Sequence, residues 1–253
     1  MDDVDILYVI GNGSVNNNAE LKYSLRTVSR HCKGVGRVVI SGEIPSFVGG
    51  RAETVSCTDI SVSGKHWNML HKIAEGIRRG GLVKPFLFSS DDHFFTRDFR
   101  MPLWARRLRR ERIYTEAEYE AENGKPAGRY QRAVAATGEL LRSCNLPDED
   151  VVWHGNMWID PKYLNDVLAI ANSHGQCIYG YEPLLLFHAF WRRDHRTDRI
   201  QPLPRDVKAK SFEGCMNLAS AYGVFSTDDR AWRGGELLKW FRKNYPEKSE
   251  FEK

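Results

Sequence analysis

The sequence lacks a continuous apolar run of about eighteen residues, the length that a membrane-spanning helix requires. Its first residues, Met1 to Asp5, are rich in acids, whereas a secretory signal begins with a basic segment. The five cysteines are scattered and none forms a Cys-x-x-Cys pair, which argues against a zinc cluster or a disulfide framework. These absences predict a cytoplasmic protein with reduced thiols that does not cross a membrane.

Two nucleotide-binding motifs are missing as well. The chain has neither a Gly-x-Gly-x-x-Gly fingerprint nor a Gly-Lys-Ser/Thr phosphate loop, so a standard dinucleotide or ATP site is disfavoured. No linker rich in Gly, Ser or Pro divides the 253 residues, and no internal repeat is present. The sequence therefore favours a single domain with two functional halves.

The positive charge is small in sum but uneven in distribution. The formal net charge is +4, yet arginines are dense in residues 106–112 and 191–196, next to aromatic side chains. Such clusters can neutralise the phosphates of a nucleotide, a nucleic acid or an anionic lipid head group. The alternative is that each cluster is a solvated basic helix face.

The first hundred residues alternate between strand and helix patterns. Residues 4–10 and 36–42 are apolar runs typical of buried strands, and residues 18–28 have helical spacing, with Asn18 as the expected cap. Residues 53–59 predict a further short strand, and residues 65–77 a second helix. This order predicts parallel βαβ units in an α/β fold with a mostly parallel central sheet.

A buried strand over residues 85–90 runs into the acids of Ser90-Asp91-Asp92-His93. Ligands of parallel sheets collect at the carboxyl ends of the strands. Since side chains alternate along an extended backbone, we expect Asp91 and His93 to point one way and Asp92 the other. Asp91 and His93 then form an oxygen and nitrogen pair suited to Mn²⁺ or Mg²⁺. The alternative is an ordinary acidic turn exposed to solvent.

The second half offers fewer signals. Residues 104–112 look helical and basic, residues 116–129 are polar and could form a flap, and residues 151–159 are strand-like. His154 lies in that apolar strand, where an unpaired imidazole is costly, so it is the candidate for a third metal ligand. A core histidine is the alternative for His154, and His188 is a weaker candidate ligand.

Several stretches together resemble glycosyltransferase-like proteins of the GT-A type from bacteria and phages. They are Ile6 to Gly13, Glu20 to Arg26, and Leu87 to Phe95. They are similar in places to the Stealth sugar-phosphate transferases of capsule synthesis, which carry a comparable Arg-Tyr-Ser-Leu-Arg and an Asn-Asp-Asp before two phenylalanines.

Further blocks extend this resemblance over most of the chain. They are His154, Asp160-Pro161-Lys162, Phe225-Ser226, and Tyr245 to Ser249. The chain departs from Stealth proteins at Ser90, where those proteins commonly carry Asn, and in lacking a Trp-Val-Asp-Gly signature in its first strand. These departures weaken the sugar-phosphate interpretation.

The resemblance implies a GT-A-like domain spanning residues 1–253, with a nucleotide-diphosphate-sugar donor and a divalent cation, Mn²⁺ or Mg²⁺, that bridges its phosphates. Residues 1–103 would bind the nucleotide sugar and residues 104–253 the acceptor. The residues that we expect to contact the donor are Gly11, Asn12, Gly13, Arg26, Asn68, Lys72 and Asp92. Surface positions are the alternative for Arg26, Asn68 and Lys72.

Transfer with inversion also needs a general base for the acceptor hydroxyl, commonly a carboxylate. Asp160, Glu182 and Asp206 are candidates, and Asp160 also fits as a helix cap. Asp92 is either a metal ligand or a partner of the donor's hydroxyl groups. Asp206 and Lys208 are alternatively expected to line the metal or phosphate region.

The sequence thus predicts a metal-dependent glycosyltransferase. A hydroxymethylated base in phage-type DNA is one acceptor hypothesis, and a polysaccharide or lipid-linked saccharide is the other. Alternative functions are sugar-1-phosphate transfer, a metal-dependent nuclease or phosphohydrolase, and a binding module without activity. The sugar, the nucleotide, the stereochemical course and the oligomeric state stay open.

Overall fold

The structure is a computed structural model that describes residues 3–11, 14, 16–62, 64–101, 111–150, 157–173, 177–195 and 207–253. The strands are β1 Val4–Ile10, β2 Cys32–Lys33, β3 Val35–Gly42, β4 Ala52–Ser56, β5 Phe86–Ser89, β6 His93–Phe95, β7 Phe99–Arg100, β8 Glu111–Arg112, β9 Glu149–Asp150, β10 Met157–Ile159, β11 Lys208–Ala209 and β12 Val224–Thr227. The α-helices are α1 Ala19–His31, α2 Lys65–Arg79, α3 Glu116–Asn123, α4 Arg129–Ser143, α5 Leu164–Ser173, α6 Pro183–Asp194, α7 Phe212–Tyr222, α8 Asp229–Trp232 and α9 Glu236–Asn244.

The central sheet has five strands in the order β10-β5-β1-β3-β4. Strand β1 pairs in parallel with β3 and β5, and β3 pairs in parallel with β4, while β10 runs antiparallel to β5. Its central strands are buried on both faces, as their continuous apolar sequences predict. The predicted fold class, an α/β protein with a mostly parallel central sheet between helices, is confirmed.

Helix α1 covers the predicted segment and continues to His31. The expected side-chain cap at Asn18 is wrong, because this residue adopts a left-handed backbone conformation (φ 55°) and its side chain caps nothing. Instead, the Ser14 hydroxyl accepts hydrogen bonds from the backbone N–H groups of Asn16 and Asn18. The helix start is thus organised by the segment that follows β1.

A second, smaller sheet has the strand order β11-β12-β6. Strand β6 follows β5 along the chain after a turn and pairs antiparallel with β12, so the chain changes sheets between β5 and β6. A separate aromatic core covers the smaller sheet, where the Phe94, Phe225, Trp232 and Phe241 rings pack against one another. The turn between β5 and β6 therefore lies where two sheets meet.

A chain of buried hydrogen bonds ties β1, α1 and β6 together. The Ser24 hydroxyl donates to the backbone carbonyl of His93 (2.6 Å), so its remaining lone pairs accept the bond from the Tyr8 hydroxyl (2.9 Å). One helical turn on, the Thr27 hydroxyl accepts from the backbone N–H of Phe95 (3.2 Å). Because Tyr8, Ser24 and Thr27 are each 0% exposed, these bonds are shielded from water.

The second half packs against the β5 edge of the central sheet through β10. The strand predicted over residues 151–159 is observed at Met157–Ile159, and its earlier part lies outside the described residues. The helix predicted over residues 104–112 is wrong at its described end, because residues 111–112 form β8 and pair with β9. The rest of that segment and the boundary between residues 103 and 104 lie outside the described residues. The division of the chain into two functional halves stays a prediction. Among the described helices, none combines the length and apolarity needed to cross a membrane.

The buried hydrogen-bond chain predicts a specific loss of stability in the Ser24→Ala variant. Removing the hydroxyl takes one buried hydrogen-bond partner from the His93 carbonyl and one from the Tyr8 hydroxyl, which should cost about 1–3 kcal/mol of unfolding free energy in urea denaturation. Ser29→Ala on the same helix breaks only an exposed bond to Glu250 and should change stability by less than about 0.5 kcal/mol. Equal effects of the two variants would contradict the assigned role of Ser24.

Candidate active site

A cavity of about 630 Å³ opens at the carboxyl edge of the central sheet, where Val9, Gly11, Phe88 and Ser90 contribute to its wall. Residues from the smaller sheet and α8 form part of the opposite wall. The acids that line the cavity are Glu20, Asp59, Asp91, Asp92, Asp228 and Asp229. The bases that line it are Lys65, Lys72, Arg129 and Lys208. Its position agrees with the expectation for ligand sites in parallel sheets.

Asp91 and Asp92 both line this cavity. The expectation that they point to opposite sides is wrong, because residues 91 and 92 form a turn between β5 and β6, and the alternation of an extended strand does not apply there. His93 is 3% exposed and is not among the lining residues. The structure therefore brings the two carboxylates together at the cavity and places the imidazole behind them in β6.

Burial, and after it the neighbouring carboxylates of Asp92 and Glu20, raise the pKa of Asp91 to about 7, against smaller opposing effects of a backbone hydrogen bond and of Lys65. Glu20 is itself held at the cavity by hydrogen bonds from the Ser14 hydroxyl (2.9 Å) and the Asn16 side-chain amide (2.5 Å). The turn is thus a place of concentrated negative charge, which a cation would relieve.

Asp92 lies between His93 and Lys208. The His93 ring presents Nδ1 to the backbone N–H of Ser90 at 3.4 Å, and its Nε2 lies 3.9 Å from Asp92 Oδ1. The other Asp92 oxygen lies 3.9 Å from the Lys208 ammonium. Asp92 therefore stands between an imidazole and an ammonium. Lys208 lines the cavity, and its expected contact with a metal or phosphate group stays a prediction.

Lys72 lies at the cavity on the inner side of α2 and is only 2% exposed. Its ammonium donates to the carbonyl of Ile10 at the end of β1 (2.9 Å) and contacts the Asp59 carboxylate (2.5 Å). A buried ammonium needs such partners, because desolvation disfavours its charge.

Asn68, one turn before Lys72, also lines the cavity, as its helical spacing suggests. Its side-chain oxygen accepts the backbone N–H groups of Ile60 (2.9 Å) and Ser61 (2.8 Å), and its amide donates to the Ser61 carbonyl (2.7 Å). Asn68 therefore holds the loop before α2, a role that the sequence did not indicate.

Arg26 has other partners than a nucleotide. Its guanidinium forms a bidentate pair with Glu252 (2.8 and 2.9 Å) and donates to the carbonyls of Tyr245 and Pro246. The side chain is 8% exposed and does not line the cavity. The structure thus places Arg26 in the contact between α1 and the segment after α9, and its predicted contact with the donor finds no geometric support.

The remaining candidates separate into three groups. Gly11 lines the cavity. Asp160 instead accepts the backbone N–H of Lys162 at the start of a 3-10 turn, Pro161–Tyr163, as its capping alternative predicts. Glu182 caps α6 and lies 3.0 Å from the His66 ring, and buried His188 lies outside the cavity lining. Asn12, Gly13, His154 and Asp206 lie outside the described residues.

The donor set for a cation is incomplete in the part of the chain that the structure describes. No three His, Cys, Asp or Glu side chains there stand close enough together to hold a metal ion. Two carboxylates are nevertheless enough for Mg²⁺ or Mn²⁺ when substrate phosphates and water supply the other ligands. Asp91 and Asp92 fit this kind of site. The neighbouring carboxylates that raise the pKa of Asp91 favour a bound proton there, and a bound cation would neutralise the same negative charge.

Several cavity residues were not singled out from the sequence. Glu20 carries a weak signal, since it is an acid beside the apolar stripe of α1, and Asp228 and Asp229 follow a strand just as Asp91 does. Trp232 and Arg129 carry no such signal, because only the packing of α8 and α4 brings them to the cavity wall.

The sequence matches no protein-family model and no curated protein. Two solved structures are similar in part. The apo form of mouse xyloside xylosyltransferase 1 is 9% identical with a TM-score of 0.41, over 91% of this chain and 99% of that one. The apo form of the glycosyltransferase GlyE of Streptococcus pneumoniae TIGR4 is 11% identical with a TM-score of 0.43, over 95% of this chain and 59% of that one. Similarity this low places the chain in no family.

The Arg26 contacts predict a loss of stability in the Arg26→Met variant. Breaking the pair leaves the Glu252 carboxylate, 1% exposed, buried without its cation, which should cost about 3–5 kcal/mol of unfolding free energy. Arg30→Met is the matched control, because Arg30 lies on the same helix and makes an exposed bond to the Asn244 carbonyl. The Arg26→Met/Glu252→Gln double variant should recover part of the loss. Unchanged stability of Arg26→Met would contradict this role.

The pKa of Asp91 predicts that the Asp91→Asn variant is more stable than the wild type at pH 8 in metal-free buffer. A carboxyl whose pKa is higher in the folded state contributes stability that is complete below its unfolded pKa, near 4, and that is lost as pH rises to about 7. The variant lacks this loss, so its advantage should be about 1–3 kcal/mol at pH 8 and smaller near pH 4.

The matched control is Asp98→Asn. Hydrogen bonds from Lys33 and His31 lower the pKa of the exposed Asp98, so removing this carboxylate should not stabilise the protein. Thermal melts of the three proteins at both pH values make the comparison. A stability difference between Asp91→Asn and the wild type that is the same at pH 4 and pH 8 would contradict the assigned pKa.

Proposed function

We propose that this protein is a glycosyltransferase that moves a sugar from a nucleotide-diphosphate sugar to a hydroxyl acceptor with the help of a divalent cation. The observation that carries the proposal is the Asp91-Asp92 turn at the carboxyl end of β5, inside a cavity of about 630 Å³. That volume lies within the range of small-molecule and cofactor sites. The raised pKa of Asp91 supports a role in cation binding.

The donor's diphosphate is the group that leaves, so the site has to stabilise the negative charge that develops on it. A bound Mg²⁺ or Mn²⁺ would supply Lewis-acid stabilisation there, held by Asp91 and Asp92. Lys72 adds a fixed positive charge that β1 and Asp59 hold in place. Lys65 and Lys208 supply further ammonium groups at the cavity wall for an anionic ligand.

The acceptor hydroxyl needs a general base. Of the carboxylates considered for this role from the sequence, Asp160 and Glu182 do not line the cavity, and Asp206 lies outside the described residues. Asp229, in the opposite wall, is an additional candidate because it is exposed and lies in the same cavity, whereas Asp228 is held by Arg230. We assign neither an inverting nor a retaining course.

For the acceptor, a hydroxymethylated base in DNA and a saccharide remain alternatives. The described part of the second arginine cluster does not favour DNA, since Arg193 pairs with Asp194 (2.9 Å) and Arg192 lies 3.6 Å from Glu149. Arginines whose charge is already balanced contribute less to phosphate binding. The first cluster lies mostly outside the described residues.

A panel of nucleotide-diphosphate sugars, each with and without Mn²⁺, tests the proposal by thermal shift. One donor at about 100 times its dissociation constant should stabilise the protein by about 2.7 kcal/mol, which raises the melting temperature by roughly 5–10 °C, and should need Mn²⁺ for the full effect. The Asp92→Asn variant should lose the part of the thermal shift that depends on Mn²⁺. The Asp98→Asn variant should keep it, because Asp98 is exposed and does not line the cavity. No shift with any donor would refute the proposal.

The products then separate the proposed reaction from its alternatives. Release of a nucleoside diphosphate with a new glycosidic bond supports glycosyl transfer, and release of a nucleoside monophosphate with a phosphodiester supports sugar-1-phosphate transfer. Cleavage of DNA without any sugar nucleotide would favour a metal-dependent nuclease. A binding module without activity would bind the donor and release neither product.

A further inference from the structure

Three large aliphatic side chains stand in solvent beside the cavity. Ile60 is 62% exposed, Ile178 is 65% exposed, and Val62, which also lines the cavity, is fully exposed. Single exposed apolar residues are common on protein surfaces and need no explanation. These three differ because two separate loops bring them to the same end of α2.

The backbone contacts show how the two loops meet. In the second loop, the carbonyl of Cys177 accepts the indole N–H of Trp67 (3.0 Å), and the carbonyl of Tyr179 accepts the backbone N–H of His66 (3.2 Å). Gly180 has φ 80° and packs so closely that a Cβ atom there would lie 2.6 Å from the backbone nitrogen of Trp67. Ile178 is therefore held against the first turn of α2, directly after the loop that carries Ile60 and Val62.

The first loop is held just as firmly. Asn68 binds the backbone of Ile60 and Ser61 through three hydrogen bonds, and the Ser61 hydroxyl accepts the backbone N–H of Gly64 (2.9 Å). A loop fixed in this way presents its apolar side chains without an ordering cost on binding. We define Ile60, Val62 and Ile178 as the apolar rim of the cavity.

Positive charge lies next to the apolar rim. Lys65 begins α2 and Arg129 begins α4, both are exposed, and both line the cavity. Among the ion pairs of the described residues, neither of these two side chains takes part in one. Arg132, whose side chain bonds Tyr179 of the second loop, is balanced by Glu116 (3.0 Å). The nearby acid Asp59 is engaged with Lys72.

We propose that the apolar rim, together with Lys65 and Arg129, docks this protein on an anionic lipid bilayer. Aliphatic side chains that enter the boundary between head groups and acyl chains, flanked by cations that meet anionic head groups, are the combination that holds proteins at membrane surfaces. Lys65 and Arg129, which form no ion pair with another described residue, favour this occupant over a second copy of the chain, which would bring the same positive charge to the contact.

Docking in this way brings the mouth of the cavity to the head-group layer. If the cavity transfers a sugar, its acceptor then belongs to the class of lipid-linked saccharides, whose hydroxyl groups lie in that layer. This last step rests on the proposed function, whereas the docking itself does not.

Flotation with lipid vesicles tests the docking. The wild type should float with vesicles of equal parts phosphatidylcholine and phosphatidylglycerol, and more weakly with phosphatidylcholine alone. The Ile60→Ser/Val62→Ser/Ile178→Ser variant should lose about tenfold or more in partitioning, since three buried aliphatic contacts are removed. Val83→Ser is the matched control, because Val83 is 83% exposed but precedes β5 at the opposite edge of the sheet.

The proposal is overturned if the wild type does not float, if the triple variant floats as well as the wild type, or if Val83→Ser loses as much flotation as the triple variant. It is also overturned if light scattering shows that the wild type is a dimer and that the triple variant is a monomer. Circular dichroism melts establish that each variant is folded. A second variant, Ile60→Ser/Ile178→Ser, changes no cavity-lining residue, so it should lose flotation while keeping any donor-induced thermal shift. Failure of donor binding in the wild type would remove the proposed function and leave the docking result standing.

Discussion

The hydrogen bonds from Tyr8 to Ser24 and from Ser24 to the His93 carbonyl are the contacts on which the geometry of the candidate site depends. They join the central strand β1, the helix that covers it, and the strand that leaves for the second sheet. Burial raises the pKa of the Tyr8 hydroxyl, which therefore stays neutral and able to donate. The turn that carries Asp91 and Asp92 lies between β5, which pairs with β1, and β6, which these hydrogen bonds tie to α1. Its carboxylates are therefore positioned before any ligand arrives.

In the same turn, ionisation of Asp91 lowers the stability of the folded state. Burial and two neighbouring carboxylates oppose ionisation of Asp91, and a fold selected only for stability would not gather these charges. Elsewhere in the lining of the same cavity, Lys72 is buried and is balanced by a carbonyl and a carboxylate. Crowded acids near a fixed ammonium suit a ligand that carries both phosphate groups and a bound cation.

Helix α2 serves both sides of the cavity. Its inner face carries Lys72 at the site and Asn68, which holds the loop with Ile60 and Val62. Its first turn binds the loop that carries Ile178. The candidate site and the apolar rim therefore both depend on α2, so a surface that the rim contacts would be held at a constant distance from Asp91 and Asp92.

Local pattern was sufficient for the α/β class, for β1, α1, β3, α2 and β5, and for the location of the acids at a strand end, because burial and periodicity are properties of neighbouring residues. It was not sufficient for the direction of the Asp92 side chain, which depends on a turn between two sheets.

The sequence by itself determined which segments form the central sheet and that Asp91 and Asp92 follow one of its strands. Only the tertiary structure decided that Arg26 binds Glu252, 226 residues further along the chain, and that Arg129 and Trp232 reach the same cavity as Asp91. The physical reason is that hydrophobic patterning specifies which side chains are buried, whereas the partner of a buried charge depends on how distant elements pack.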